Sequence, residues 1–193
     1  AIFTTASNLT AVGVSSLGTN TTGGENTAVG YISLLDNTTG SRNTAIGNFS
    51  LESNTTGNDN TGLGKGALQK TTTASSNTAV GSAALKENTT GTNNVAVGGA
   101  SLDANTTGTD LTAVGTNALT TNTTANYNVA VGKNSLRLNT TGTNNTSVGT
   151  FALDKNTTAN NNTALGYAAL NENTTGAKNV ALGAEALDAN TTA

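Results

Sequence analysis

The chain has 193 residues, among them 30 Asn, 41 Thr and 23 Gly, and it contains no Cys, His, Pro, Met or Trp. Zinc and haem ligation, thiol redox chemistry, disulfides and histidine acid–base catalysis are therefore excluded for want of the atoms that perform them. Eight basic against eleven acidic residues, with no basic run, argue against nucleic acid as a partner, and no stretch of 18 apolar residues is present to span a bilayer.

Residues 1–8 form a lead-in that starts without Met, so processing or a longer parent chain is expected. From 9 to 193 the sequence repeats every seventeen residues without insertion or deletion, in units that begin at Leu9, Asn26, Asn43, Asn60, Asn77, Asn94, Leu111, Asn128, Asn145, Asn162 and Asn179. Numbered within the unit, position 5 is Gly in all eleven (Gly13 to Gly183) and position 9 is Leu in all eleven (Leu17 to Leu187). Positions 13 and 14 are always Thr, and position 12 is Asn with the exception of Thr71. All 19 charged residues fall at positions 6, 7, 10, 11 or 17. An unpaired buried charge is costly, so this in-phase exclusion means that every unit buries the same side chains against its neighbours. The expected fold is all-β or mostly β, a β-solenoid of eleven 17-residue coils over residues 9–193, with one short parallel strand per coil.

Along one coil, Asn-Thr-Ala-Val at positions 1–4 reads as that strand, with β-branched residues at 2 and 4 on one face and a small residue at 3 on the other. Leucine and valine columns are expected inside, ionised groups outside. Gly at position 5 turns the chain. In positions 6–11, as in Ser82–Glu87, the adjacent positions 8 and 9 are restricted while their neighbours vary, the spacing of a single helical turn. A strand covered on both faces is the alternative. Asn-Thr-Thr-Gly at 12–15 is a turn signal in which Asn and Gly tolerate left-handed φ, and in register these Asn and Thr would form hydrogen-bonded ladders. Neither terminal unit carries the polar cap of an isolated solenoid, so self-association is expected, as an end-to-end polymer or a homotrimer.

Candidate sites are few. Ten units contain the N-glycosylation pattern Asn-Thr-Thr, at Asn20, Asn37, Asn54, Asn88, Asn105, Asn122, Asn139, Asn156, Asn173 and Asn190, although a turn that needs those residues produces the pattern anyway. Tyr31, Phe49, Phe151 and Tyr167 occupy the variable positions 6 and 7 and are candidate contacts for a sugar or a neighbouring fibre. The six Asp scatter over three repeat positions, unlike the fixed turn ligands of calcium-binding solenoids, and Gly62–Gly66 lacks the Lys-Ser/Thr ending of a phosphate loop. No catalytic, cofactor or metal residue is expected, and the chain reads as no enzyme.

The unit Asn-Thr-Ala-Val-Gly…Leu…Asn-Thr-Thr-Gly resembles repeats of bacterial surface fibres and phage tail fibres. Its Asn-x-Ala-Val/Ile-Gly core, at 26–30, 43–47 and 94–98, is similar to head repeats of trimeric autotransporter adhesins, which repeat at a shorter interval. The resemblance implies an extracellular, rod-like, often trimeric β-solenoid used for display or attachment. The expected function is a structural subunit of an extracellular fibre or surface filament. The alternative is a trimeric adhesin or tail-fibre shaft that meets a cell-surface receptor or glycan.

Overall fold

A computed structural model describes residues 5–192. It is a β-solenoid without helix: eleven three-residue strands recur every seventeen residues, from β1 (Thr10–Val12) and β2 (Thr27–Val29) to β11 (Val180–Leu182). They pair in sequence order as one parallel sheet, with Thr10 opposite Thr27 and so on up the rod. Coils spaced by about 4.8 Å make a rod roughly 50 Å long. Residues 5–8, at the end of the lead-in, run as the tail of a preceding coil, for Glu25 N donates to Ser7 O as Arg42 N does to Gly24 O.

The strand alternates as expected, but its inner face is the small one. From β2 onward position 3 is fully enclosed (Ala28, Ala45, Ala79), whereas the aliphatic residue at position 4 points out: Leu63 is 43 % and Leu165 46 % exposed. The valine column is thus outside, and the core is built from the leucines at position 9, the small residues at 3 and 8, and Asn at 1 and 12. The cause is width. A Cβ on Gly62 would sit 2.6 Å from Ser50 Oγ and 3.5 Å from Leu51 Cγ, so the sheet lies so close on the leucine column that nothing larger than Ala or Ser fits between them.

No helical turn occurs at positions 6–11. Instead two reversals follow one another: the N–H of position 8 donates to the carbonyl of 5 (Ser50 to Gly47, 3.3 Å) and that of 12 to the carbonyl of 9 (Asn54 to Leu51, 3.2 Å). Left-handed φ falls at positions 7, 9 and 17, for example Phe49 (58°), Leu51 (51°) and Asp59 (58°), and not at the Asn or Gly of Asn-Thr-Thr-Gly. A right-handed turn needs negative φ throughout, which two left-handed residues forbid. Gly at position 5 is required by contact as well as by φ. At Gly98 (φ 131°) a Cβ would lie 2.6 Å from the carbonyl carbon of Gly115 in the next coil.

Candidate functional site

Coil-to-coil hydrogen bonds have a fixed sense. Backbone N–H groups at positions 2, 9, 11, 13 and 14 donate to the following coil (Thr27 to Asn43 O, 2.8 Å; Leu34 to Ser50 O, 2.9 Å), and those at 5, 7 and 17 donate to the preceding one (Gly47 to Val29 O, 2.8 Å). The two ends of the rod therefore present different, complementary sets of donors and acceptors. At β11 the last described coil bares what interior coils enclose. Leu187 is 52 % exposed where the ten other position 9 leucines are at 0 %, and Val180 and Leu182 stand above 70 %.

Inside, asparagine forms two ladders. At position 12 each side-chain amide donates to the preceding Asn Oδ1 (Asn54 to Asn37, 2.8 Å; Asn122 to Asn105, 3.0 Å) and to the position 15 carbonyl of its own coil (Asn122 to Ala125, 3.1 Å). At position 1 the Oδ1 accepts the next coil's backbone N–H (Asn60 N to Asn43 Oδ1, 3.0 Å) while Nδ2 reaches a carbonyl fourteen residues on (Asn43 to Gly57 O, 2.8 Å). These pairings satisfy groups that burial would otherwise leave without water. The position 12 ladder breaks once. Thr71 is too short to bridge, and both its Oγ1 and Asn54 Oδ1 are buried without a partner. The Thr at position 13 adds a third column, its hydroxyl donating to the next Thr carbonyl (Thr38 to Thr55 O, 3.0 Å).

This placement decides what the ten Asn-Thr-Thr asparagines can do. From Asn20 to Asn173 they are fully enclosed, and Asn190 is half-buried with its Nδ2 donating to Asn173 Oδ1. A glycan on Nδ2 would remove the ladder and has no room inside the coil. Glycosylation at Asn20, Asn37, Asn54, Asn88, Asn105, Asn122, Asn139, Asn156 or Asn173 and this fold exclude one another.

On the outside, two surfaces stand out. The sheet face carries Thr or Val at position 2 and Val, Ile or Leu at position 4 in all eleven units, with no charge on it. The turn-rich wall at positions 6–11 holds four of the six aromatics and most charges. Tyr31 meets Phe49 edge-on at 5.5 Å between centroids and Phe151 meets Tyr167 at 6.3 Å, each pair spanning two adjacent coils. Of the four aromatics, both Tyr are exposed and both Phe half-buried. Among the described residues four ion pairs run vertically, Arg137 to Asp154 (2.7 and 3.0 Å), Lys70 to Glu87 (2.6 Å), Lys155 to Glu172 (2.6 Å) and, at position 17, Arg42 to Asp59 (2.6 and 2.9 Å), while Lys86 pairs with Glu87 (3.3 Å) within one coil. The hydrogen bond from Arg42 holds the Asp59 carboxyl below its ordinary range, and that from Lys70 does the same for Glu87. Asp103 is different. Burial pushes its carboxyl up against the opposing pull of Lys86, and its Oδ1 has no hydrogen-bond partner.

Among the described residues no three metal-ligating side chains converge, and no helix is long and apolar enough to cross a membrane. The buried ladders and the left-handed leucines escape prediction of a site by motif, since they perform no chemistry. Invariance within the array is the only signal they leave. Comparison with known protein families, curated proteins and solved structures gives no match for this chain.

Proposed function

We propose that the chain is a structural rod, a subunit of an extracellular fibre or surface filament that associates with copies of itself through ladder stacking. The observation that carries this reading is the fixed sense and register of the coil-to-coil hydrogen bonds, which any coil of the same design can extend. The lack of Cys, Met and Trp, side chains prone to oxidation, supports an extracellular setting. A non-catalytic role is supported by the absence of His and Cys from the sequence. Negative-stain electron microscopy combined with light scattering tests the proposal: filaments many times longer than about 50 Å are expected, and a dispersed monomer at all concentrations refutes it.

A second reading has its own observation. The uncharged aliphatic sheet face, with Leu63 and Leu165 near half-exposed, suits three rods packed side by side as a trimeric adhesin or tail-fibre shaft, whose remaining walls would meet a receptor or glycan. Short rods of three chains in the same experiment favour it.

A further inference from the structure

We infer that the hollow beside Phe49 is a binding site for an acidic sugar, a pyranose that carries a carboxylate, as in a hexuronate oligosaccharide. The inference deepens the second reading above, on which it rests, by giving the wall that would meet a glycan a place and a ligand class. The hollow has a volume of about 320 Å³ and spans the third to fifth coils. That is the small end of the range for small-molecule sites, about 300–1,000 Å³, and suits one or two sugar rings. It exists because position 7 changes size from coil to coil. The Phe49 ring, which meets Tyr31 of the coil below edge-on at 5.5 Å, stands next to Gly66 and Ala83 in the two coils above. A Cβ on Gly66 would have only Gln69 Oε1 near it, at 3.4 Å, so the space is open down to the backbone. Lys65 and Ser82 at position 6 and Gln69 and Lys86 at position 10 complete the lining.

The polar groups of this lining select the ligand. Gln69 Nε2 donates to Glu52 at 2.7 Å, and a carboxylate only accepts, so turning the amide over would set oxygen against oxygen. Its Oε1 is therefore held toward the space above Gly66. An acceptor there repels an anion and takes a hydroxyl, which a simple carboxylic acid does not offer and a sugar does. The charge is supplied by lysine. Lys65 is exposed and, among the described residues, forms no ion pair. Lys86 lies 3.3 Å from Glu87, a carboxylate that Lys70 already holds at 2.6 Å, so two cations share one anion. No carboxylate lines the hollow, which leaves the Lys65 ammonium for an acid group on the ligand. The Phe49 ring provides aromatic surface for the apolar C–H face of a pyranose, and the exposed Ser82 hydroxyl is a further contact for its hydroxyls.

Isothermal titration with a galacturonate trimer, the neutral galactose trimer and a sulfated galactose trimer tests the site. The wild type is expected to bind the uronate at least about tenfold more tightly than the neutral trimer. K65A is expected to weaken uronate binding about fivefold to tenfold and to leave neutral binding unchanged. G66F fills the hollow with a side chain that position 7 already carries at Phe49 and Phe151, at nearly the same φ (65° against 58° and 61°). It is expected to keep the wild-type melting curve and to lose binding of every trimer. A neutral or sulfated trimer bound as tightly as the uronate, or uronate binding unchanged in K65A and in G66F, overturns the site. Uronate bound equally by G66F leaves the glycan-binding shaft standing with its contact elsewhere on the rod. No binding of any trimer removes the site as well, while the three-chain rods of the second reading are scored separately by microscopy.

Discussion

The leucine at position 9 combines two roles that usually fall to different residues. Its side chain fills the core, yet its backbone is left-handed in all eleven copies, with φ between 49° and 54°. An L-residue there costs about 1–2 kcal/mol, which only Gly escapes. Core truncation at Leu119 by alanine is expected to cost about 2–5 kcal/mol. Because the strain falls on Ala and not on Gly, L119G is expected to be at least as stable as L119A, the reverse of the ordinary order, measured by chemical denaturation of both. Asp103 gives a second residue-scale prediction. Its folded-state pKa is raised by burial above the ordinary 3.8, so the folded state prefers the proton and stability rises as pH falls from neutral through the raised value. Asn171, at the same position four coils on, donates Nδ2 to Phe151 O at 2.9 Å, and an Asn at 103 has the Ala83 carbonyl in the equivalent place. D103N is therefore expected to gain about 1 kcal/mol at pH 7, a gain that shrinks toward pH 3.8 in parallel thermal melts. Residue types alone misassign the strand faces. Val at position 4 outranks Ala at position 3 in hydrophobicity, but the narrow gap over Leu51 selects for size, and no single residue in the sequence announces that gap.

Among the elements, the position 12 ladder is the one whose worth can be isolated, since Thr71 already interrupts it. T71N supplies a donor to Asn54 Oδ1 and an acceptor for Asn88 Nδ2. The neighbouring Ala74 is no obstacle, because Asn122 and Asn156 sit in coils with Ala at the same place. Relief of two orphaned buried groups is expected to stabilise by about 1–3 kcal/mol, seen as a rise of about 2–4 °C in melting temperature per kcal/mol. The glycine column offers a paired test on adjacent residues. G98A forces a Cβ onto the Gly115 carbonyl at φ 131° and is expected to cost about 2–4 kcal/mol. G99A, with nothing within 4 Å of its Cβ, is expected to be neutral or slightly stabilising. Circular dichroism melts of both decide it. The ladders were legible in the sequence because an Asn that recurs in ten units, at a place closed to every charged residue, must find its hydrogen bonds inside, and its own copies lie nearest. The two turns at positions 5–12 were not, because Leu, Phe and Ala carry no mark of the left-handed backbone they adopt there, and adjacent buried positions imitate a helical turn.

At the scale of the whole molecule, charges obey the same register as the core. Six pairs of charged residues stand directly above one another (Glu25/Arg42, Arg42/Asp59, Lys70/Glu87, Lys86/Asp103, Arg137/Asp154 and Lys155/Glu172), and all six are opposite in sign. Like charges so placed destabilise a ladder, so the array favours the seventeen-residue register and penalises slips. Repetition made the solenoid readable at this scale, since a period without gaps leaves little choice of architecture. The hollows beside Phe49 and Phe151 were not readable, for they depend on which variable positions share a wall, and that follows from the turns the sequence concealed.

Serial stacking also fixes how the molecule answers tension. Because strand order equals chain order, a force applied to its two extremities pulls along the long axis and loads the outermost rung first. Peeling one rung frees seventeen residues, about 56–61 Å of taut chain in place of about 4.8 Å of height. Single-molecule stretching is expected to give a train of nearly equal steps about 50–55 Å apart instead of one abrupt rupture, the behaviour of a tether that absorbs shock by releasing line one turn at a time.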